Sequence, residues 1–270
     1  MKKIFTLLFL GSFTLSVNAQ TIVNRNADID KMVKSVNADS LKSYITKMVS
    51  FGTRSTISDT KSKSKGIGAA RNWVVNKFNQ FAKQSDGRLT AFLDTVTINP
   101  DGKRVDKQIL LGNAVAILKG TDANDKRVFV VSGHLDSRVT DVMNRVSDAP
   151  GANDDGSGVA GVIEAARIMS QYKFPATVIF VAVSGEEQSL IGSGFMAAKA
   201  KKEGWNLEAM LNNDMIGSNN ASETQIIDNT KLRVFSEGLP AYELDKSAKS
   251  IRQFGLENDG KSRQLARYVK

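Results

Sequence analysis

The chain has 270 residues, 41% of them hydrophobic and 24% charged, which suits a soluble globular protein with a substantial core. Its net charge of +9 is scattered, and the densest runs (Lys61, Lys63, Lys65; Lys199, Lys201, Lys202) are short, so a nucleic-acid partner is not expected. The absence of cysteine excludes disulfides, thiolate metal sites, cysteine nucleophiles and a lipidated cysteine.

Residues 1–19 read as a signal peptide. Lys2 and Lys3 precede an apolar stretch from Ile4 to Val17, and Val17-Asn18-Ala19 offers the small residues that cleavage before Gln20 requires. The apolar stretch is shorter than the roughly 20 residues needed to span a bilayer, so no stable membrane insertion is expected after cleavage. Ala27 to Val36 and Ser40 to Ser50 have helical periodicity, the second with Ser40 as N-cap. After a polar connection from Ser55 to Gly66, Ile67 to Ala82 repeats Ala70, Trp73, Val74, Phe78 and Phe81 at helical spacing. Gly66-Ile67-Gly68 is a helix start and not a dinucleotide fingerprint, whose third glycine would fall at Arg71. Arg88 to Ile98 and Gln108 to Leu118 are strands on either side of Asn99-Pro100-Asp101-Gly102, which predicts a hairpin.

After Gly120 the pattern becomes strand, loop, helix. Val128 to Ser132 and Thr177 to Val183 are continuous apolar runs, as in strands buried on both faces. Ser157 to Ser170 and Ile191 to Lys201 are helices, and Leu207 to Asn212 is a third strand. Thr224 to Asp228 and Leu232 to Phe235 add short strands, and Asp259 to Lys270 begins a helix. Buried strands alternating with helices predict an α/β fold with a central sheet covered on both sides.

The chemistry-bearing residues follow those strands. His134 and Asp136 come after the first, Glu186 and Glu187 after the second, and Asp214 after the third, while Asp154 and Asp155 lie in a glycine-rich turn that opens a helix. In open α/β sheets the carboxyl ends of the strands form the site. A lone histidine is usually structural and a lone acid before a helix is usually a cap. Here His134 stands two residues from Asp136, so strand periodicity puts both on one face, where a carboxylate can fix the tautomer of a metal-bound imidazole. Hard oxygen donors with one imidazole suit Zn²⁺, Mn²⁺ or Co²⁺. Two such ions need a bridging carboxylate, and a nearby carboxylate can move the proton from water to leaving group. A serine nucleophile is excluded, because Ser157 is flanked by Asp155 and Val159, and Ser193 by Ile191 and Phe195, where an elbow needs glycines.

Gly133-His134-Leu135-Asp136-Ser137, Pro150-Gly151-Ala152-Asn153-Asp154-Asp155-Gly156-Ser157-Gly158, Glu186-Glu187 and Asn213-Asp214-Met215 together resemble the core of the M28 family of zinc aminopeptidases. Phe51-Gly52-Thr53-Arg54 and the helix containing Trp73 match the same family upstream. The resemblance implies a phosphorylase/hydrolase-like fold, with a central mixed, largely parallel sheet flanked by helices, over residues 20–270. It implies zinc at His134 and Asp214, a second zinc at Glu187, a bridge at Asp154 and a general base at Glu186. Asp136 would stand behind His134, and Asp155 would cap the helix or support the ligands. The family completes the Glu187 side with a histidine in a C-terminal loop, and no histidine follows Asp214 here. The peptidase domain is therefore expected to be incomplete at its C-terminus, without its closing elements.

The expected activity is that of an exported metallo-exopeptidase, periplasmic or extracellular, acting on peptide or protein N-termini. The alternatives are a single-zinc glutaminyl-peptide cyclotransferase of similar fold, which a metal count separates, and an inactive fragment or binding module, which an aminopeptidase assay separates. The exported protein is expected to begin at Gln20. Intact-mass analysis that finds Met1 to Ala19 retained would contradict that expectation.

Overall fold

A computed structural model describes residues 25–221, 226–230, 232–236 and 260–269. The expected signal peptide, residues 1–19, lies outside the described residues. The chain divides into a unit ending at Val36 and a unit starting at Asn37. In the first, α1 (Ala27–Lys34) is capped by Asn26, whose side chain accepts the amide N–H groups of Asp28 and Ile29. Acids in its first turn and lysines in its last suit the helix dipole.

In the second unit α2 (Ala38–Val49) starts earlier than expected. Asn37, not Ser40, is the cap, and its side chain accepts the Ser40 amide N–H at 2.8 Å. Asn caps as well as Ser does, and Ala38, the best helix former, extends the helix back to it. Then come α3 (Gly66–Ala82), β1 (Leu89–Ile98) and β2 (Ile109–Leu118). β1 and β2 form the expected antiparallel hairpin. Its turn is held by Asp101, which accepts the N–H groups of Val105, Lys103 and Arg104, and these bonds hold its carboxyl down at about 2.

The alternating half follows as β3 (Arg127–His134), α4 (Gly156–Met169), β4 (Thr177–Val183), α5 (Ile191–Glu203) and β5 (Asn206–Asn212). The five strands form one sheet in the order β1-β2-β4-β3-β5. β3 pairs in parallel with both β4 and β5, and only β2 runs against the others, so the sheet is mixed and largely parallel. The chain passes from β3 to β4 on one side and returns to place β5 on the other. That reversal at the carboxyl ends of β3 and β4 is where α/β sheets open a crevice. β6 (Asn220–Ala221) and β7 (Ile226–Ile227) pair separately, and α6 (Lys261–Val269) closes the described residues. Residues 224 and 225 of the expected strand lie outside them. Leu232 to Phe235 is irregular; Leu232 and Phe235 are exposed there, with no sheet face to bury them.

Helices flank both faces of the sheet at its centre, whereas the edge strand β5, expected to be covered, is largely exposed. On one, Met48 of α2, Val74 and Phe78 of α3 and Ile163 of α4 pack on Leu118 and Phe180. On the other, Met196 of α5 packs with Val115, Val130, Ile179 and Val181. Trp73 meets Tyr44 and Phe51 edge-on, with ring centroids 6.3 and 6.2 Å away.

The start of α4 lies almost in contact with the chain after β5. A Cβ on Gly158 would stand 2.2 Å from the Asn213 carbonyl oxygen and 2.5 Å from both Asp155 carboxylate oxygens. Gly194, exposed on the outer face of α5, has nothing within 4 Å of the equivalent position. Gly158→Ala should therefore destabilise the fold by about 1–3 kcal/mol or more, since backbone must move. Gly194→Ala should stabilise it by up to about 1 kcal/mol through helix propensity. Thermal melts of the two variants check this, and equal effects of either sign would contradict it.

Candidate metal centre

Backbone pairing gathers the site residues at one edge. His134 ends β3 and lies in register with Val183, which ends β4. The Leu135 amide then donates to the Val183 carbonyl at 2.7 Å, so Ser184 to Glu187 begins beside the histidine. On the other side the Asn213 amide donates to the Ser132 carbonyl at 2.8 Å, and the Ser132 hydroxyl bonds the Asn212 side chain at 2.7 Å. Asp214 follows directly.

His134 is buried, and its ring sits between two sets of acids. Nδ1 is 3.2 Å from the backbone carbonyl of Asp136 and 3.7 Å from that residue's carboxylate. A carbonyl can only accept, so a hydrogen bond there puts a proton on Nδ1 and turns Nε2 toward Asp154, at 3.0 Å, and Asp214, at 3.9 Å. One donor atom from each of His134, Asp154 and Asp214 lies within 4.8 Å of the others. Ligands on a tetrahedral zinc, with bonds of about 2.0–2.2 Å, stand roughly 3.3–3.6 Å apart. The two distances from Nε2 bracket that value, so these side chains fit zinc in both donor type and spacing. Burial opposes charge on His134, but Asp136, Asp155 and Glu186 outweigh it and push the imidazole up to about 10. The pocket demands positive charge.

Asp154 and Asp155 are joined by a cis peptide and take different surroundings. The Asp154 side chain is half exposed, whereas Asp155 is fully buried. Asp155 caps α4 by accepting the Gly158 N–H at 2.9 Å, and it also accepts the N–H groups of His134 at 2.9 Å and Met215 at 3.2 Å. Burial raises its carboxyl to about 7 against the pull of His134 and those three donors. One side chain thus caps α4 and holds the backbone at His134 and beside Asp214.

Asp136 does more than stand behind His134. Its carboxylate accepts the amide N–H groups of Glu186 at 3.3 Å and Glu187 at 3.1 Å, while its own carbonyl meets the imidazole. Strand periodicity missed this because β3 ends at His134, freeing Asp136 to turn toward the next loop. Glu187 stands outside the three-residue group. Its carboxylate accepts Arg138 Nε at 2.5 Å and its carbonyl accepts Arg104 Nη1 at 2.7 Å. Burial raises the Glu186 carboxyl; His134 lowers it, and Asp136, Glu187 and Asp214 raise it further.

Sequence reasoning did not find Arg104, Arg138 or Asn113. Asn113 is buried in β2, accepts the Ser184 N–H at 3.0 Å and donates to the Gly192 carbonyl at 2.9 Å, which fixes the turn before Glu186. A lone amide inside the apolar run Ile109 to Leu118 was the available signal, since a buried amide needs partners.

The family model described as peptidase family M28 matches residues 113–260. A protein of Leptosphaeria maculans named a probable zinc metalloprotease is 42% identical over 241 residues, which cover 89% of this chain and 55% of that protein. The chain spans about half the length of the curated relatives it matches. Among solved structures, the LapA aminopeptidase of Legionella pneumophila superposes with a TM-score of 0.58 at 22% identity, covering 82% of this chain and 53% of that one. The glutaminyl cyclase of Porphyromonas gingivalis superposes with a TM-score of 0.55 at 21% identity, covering 69% and 63%. At these identities the two structures speak for the fold.

Two variants test the supporting carboxylates. Asp155→Ala leaves three backbone donors without their acceptor, and at about 1–3 kcal/mol for each unsatisfied group it should be severely destabilising. Asp136→Asn should keep the fold and weaken zinc binding by about 10–100-fold. Chemical denaturation and zinc competition against a chelator read these out, and a wild-type melt for Asp155→Ala would contradict the first.

Proposed function

Because the chain belongs to peptidase family M28, we propose that it is the catalytic part of an exported zinc-dependent exopeptidase that hydrolyses N-terminal peptide bonds. The observation that carries this reading is the meeting of His134, Asp154 and Asp214 within 4.8 Å, beside a glutamate whose carboxyl is raised. Zinc bound there supplies a Lewis acid for the scissile carbonyl and lowers the pKa of the attacking water. The remaining work belongs to the protein. His134 offers Nε2, with its other nitrogen held against the Asp136 carbonyl. Asp154 and Asp214 contribute oxygens and offset the metal's charge. Glu186 accepts the proton of the attacking water and returns it to the leaving amine, and its raised carboxyl lies closer to neutrality, where such a shuttle works in both directions.

Glu187 would hold a second ion, with Asp154 serving both. A specific contact favours a second reading, the single-zinc cyclotransferase: Arg138 already pairs with Glu187 and supplies the charge that a second ion would bring. Zinc stoichiometry, with product analysis on a peptide bearing N-terminal glutamine, separates the two. Release of free amino acid supports the peptidase, and a cyclised N-terminus with loss of ammonia supports the alternative. Export is proposed on the basic, apolar and small-residue pattern of residues 1–19.

Glu186→Gln should lower turnover by about 10²–10⁴-fold while zinc content stays near wild type. Asp154→Asn should lose zinc as well as turnover. Metal analysis of both purified variants, alongside an aminopeptidase assay, checks the division of roles. Loss of zinc in Glu186→Gln with retention in Asp154→Asn would reverse it.

A further inference from the structure

Arg54 is fully buried, and every hydrogen bond of its guanidinium ends on a backbone carbonyl. Nε donates to Leu135 at 2.7 Å, Nη1 to Pro150 at 2.7 Å and to Met48 at 3.4 Å, and Nη2 to Gly151 at 2.9 Å. These acceptors belong to three separate segments. Leu135 lies between His134 and Asp136. Pro150 and Gly151 open the turn that displays Asp154, and Met48 is in the last turn of α2. The Gly151 carbonyl also accepts the Gly156 N–H at 3.0 Å, so the guanidinium grips the turn at the point where it closes on α4. The backbone of Arg54 repeats the link, since its N–H donates to Ser137 Oγ, which itself donates to the Ala149 carbonyl. The contact is close-packed: a Cβ on Gly151, at φ +47°, would stand 2.9 Å from Nη2.

A buried cation without a hydrogen-bonded counter-ion is costly, by several kcal/mol of desolvation. Burial pulls the guanidinium down to about 10, while the charges of Asp136, Asp155 and Asp154 act in its favour from farther off. General architecture does not require this cost in this place. It falls where the histidine strand must be held at a fixed distance from the Asp154 turn, and only the planar fork of arginine reaches carbonyls in both at once.

We propose that Arg54 is a positioning residue that sets the distance between His134 and Asp154, and with it the geometry of the metal site. It touches neither metal nor substrate. The proposal rests on the metal reading above. It predicts that keeping the charge while removing the fork, as in Arg54→Lys, gives a folded protein whose ligands no longer meet correctly.

Cobalt(II) titration of the full chain tests this, because the visible absorption of bound cobalt reports ligand geometry independently of turnover. Arg54→Lys should bind cobalt about 10–100-fold more weakly than wild type, with an altered spectrum. Arg71→Lys is the control: Arg71 is another buried arginine on carbonyls, those of Leu110 and Thr60, in neither of the segments that carry His134 and Asp154, and its loss should lower the melting temperature without changing the spectrum. A folded Arg54→Lys with wild-type affinity and spectrum would overturn the proposal. If Arg54→Lys does not fold, Ser137→Ala decides, because it cuts the parallel link to Ala149: weaker binding with a changed spectrum supports the proposal, and wild-type binding overturns it. Wild-type chain that takes up no cobalt, or His134→Ala chain that takes it up unchanged, would defeat the metal reading itself, and the proposal with it.

Discussion

The Asp155 carboxylate is the interaction on which the site depends. It receives N–H groups from the end of β3, the first turn of α4 and the chain after β5, which are separate in sequence and carry or adjoin His134, Asp154 and Asp214. Each donor is a backbone group, so the bonds fix the main chain and leave the ligand side chains free to converge. Adjacent Asp154 takes the opposite environment, half exposed and aimed at the imidazole. Two chemically identical neighbours thus differ in burial and in partners: one fastens three backbone segments, and the other faces the imidazole.

Charge is arranged around that fastener in layers. The acids at the centre raise the proton affinity of His134 and of Glu186, as in a site that favours a cation. Outside them stand three arginines with different duties. Arg54 is buried on carbonyls, Arg104 holds the Glu187 carbonyl, and Arg138 pairs with the Glu187 carboxylate. The packed faces of the sheet make this layering possible. Helices α3 and α4 on one side and α5 on the other pack against the central strands behind His134 and Glu186.

Much of this was legible in the sequence. The continuous apolar run Thr177 to Val183 marked a doubly covered strand, and acids placed after successive strands marked their shared edge. The hairpin around Asp101 followed from turn chemistry. What was not legible depends on where side chains go once a strand ends. Periodicity placed Asp136 beside the histidine, where its carboxylate lies 3.7 Å from Nδ1, but the two loop N–H groups it also accepts past the strand end were not legible. The α2 start was misplaced because two equivalent cap residues lie three apart, and only the backbone angles choose between them. The acceptors of Arg54 are main-chain oxygens, which leave no trace in side-chain identity.

The two amide bonds to Asp136 have a mechanical meaning. Glu186 and Glu187 are consecutive, and both of their N–H groups end on one carboxylate that is itself fully buried. Two successive peptide units held by one carboxylate are restrained together. The carbonyl of the same residue meets the imidazole, so Asp136 ties the backbone of the two glutamates to His134. Moving the Glu186–Glu187 backbone away from His134 therefore means giving up hydrogen bonds to a single buried residue.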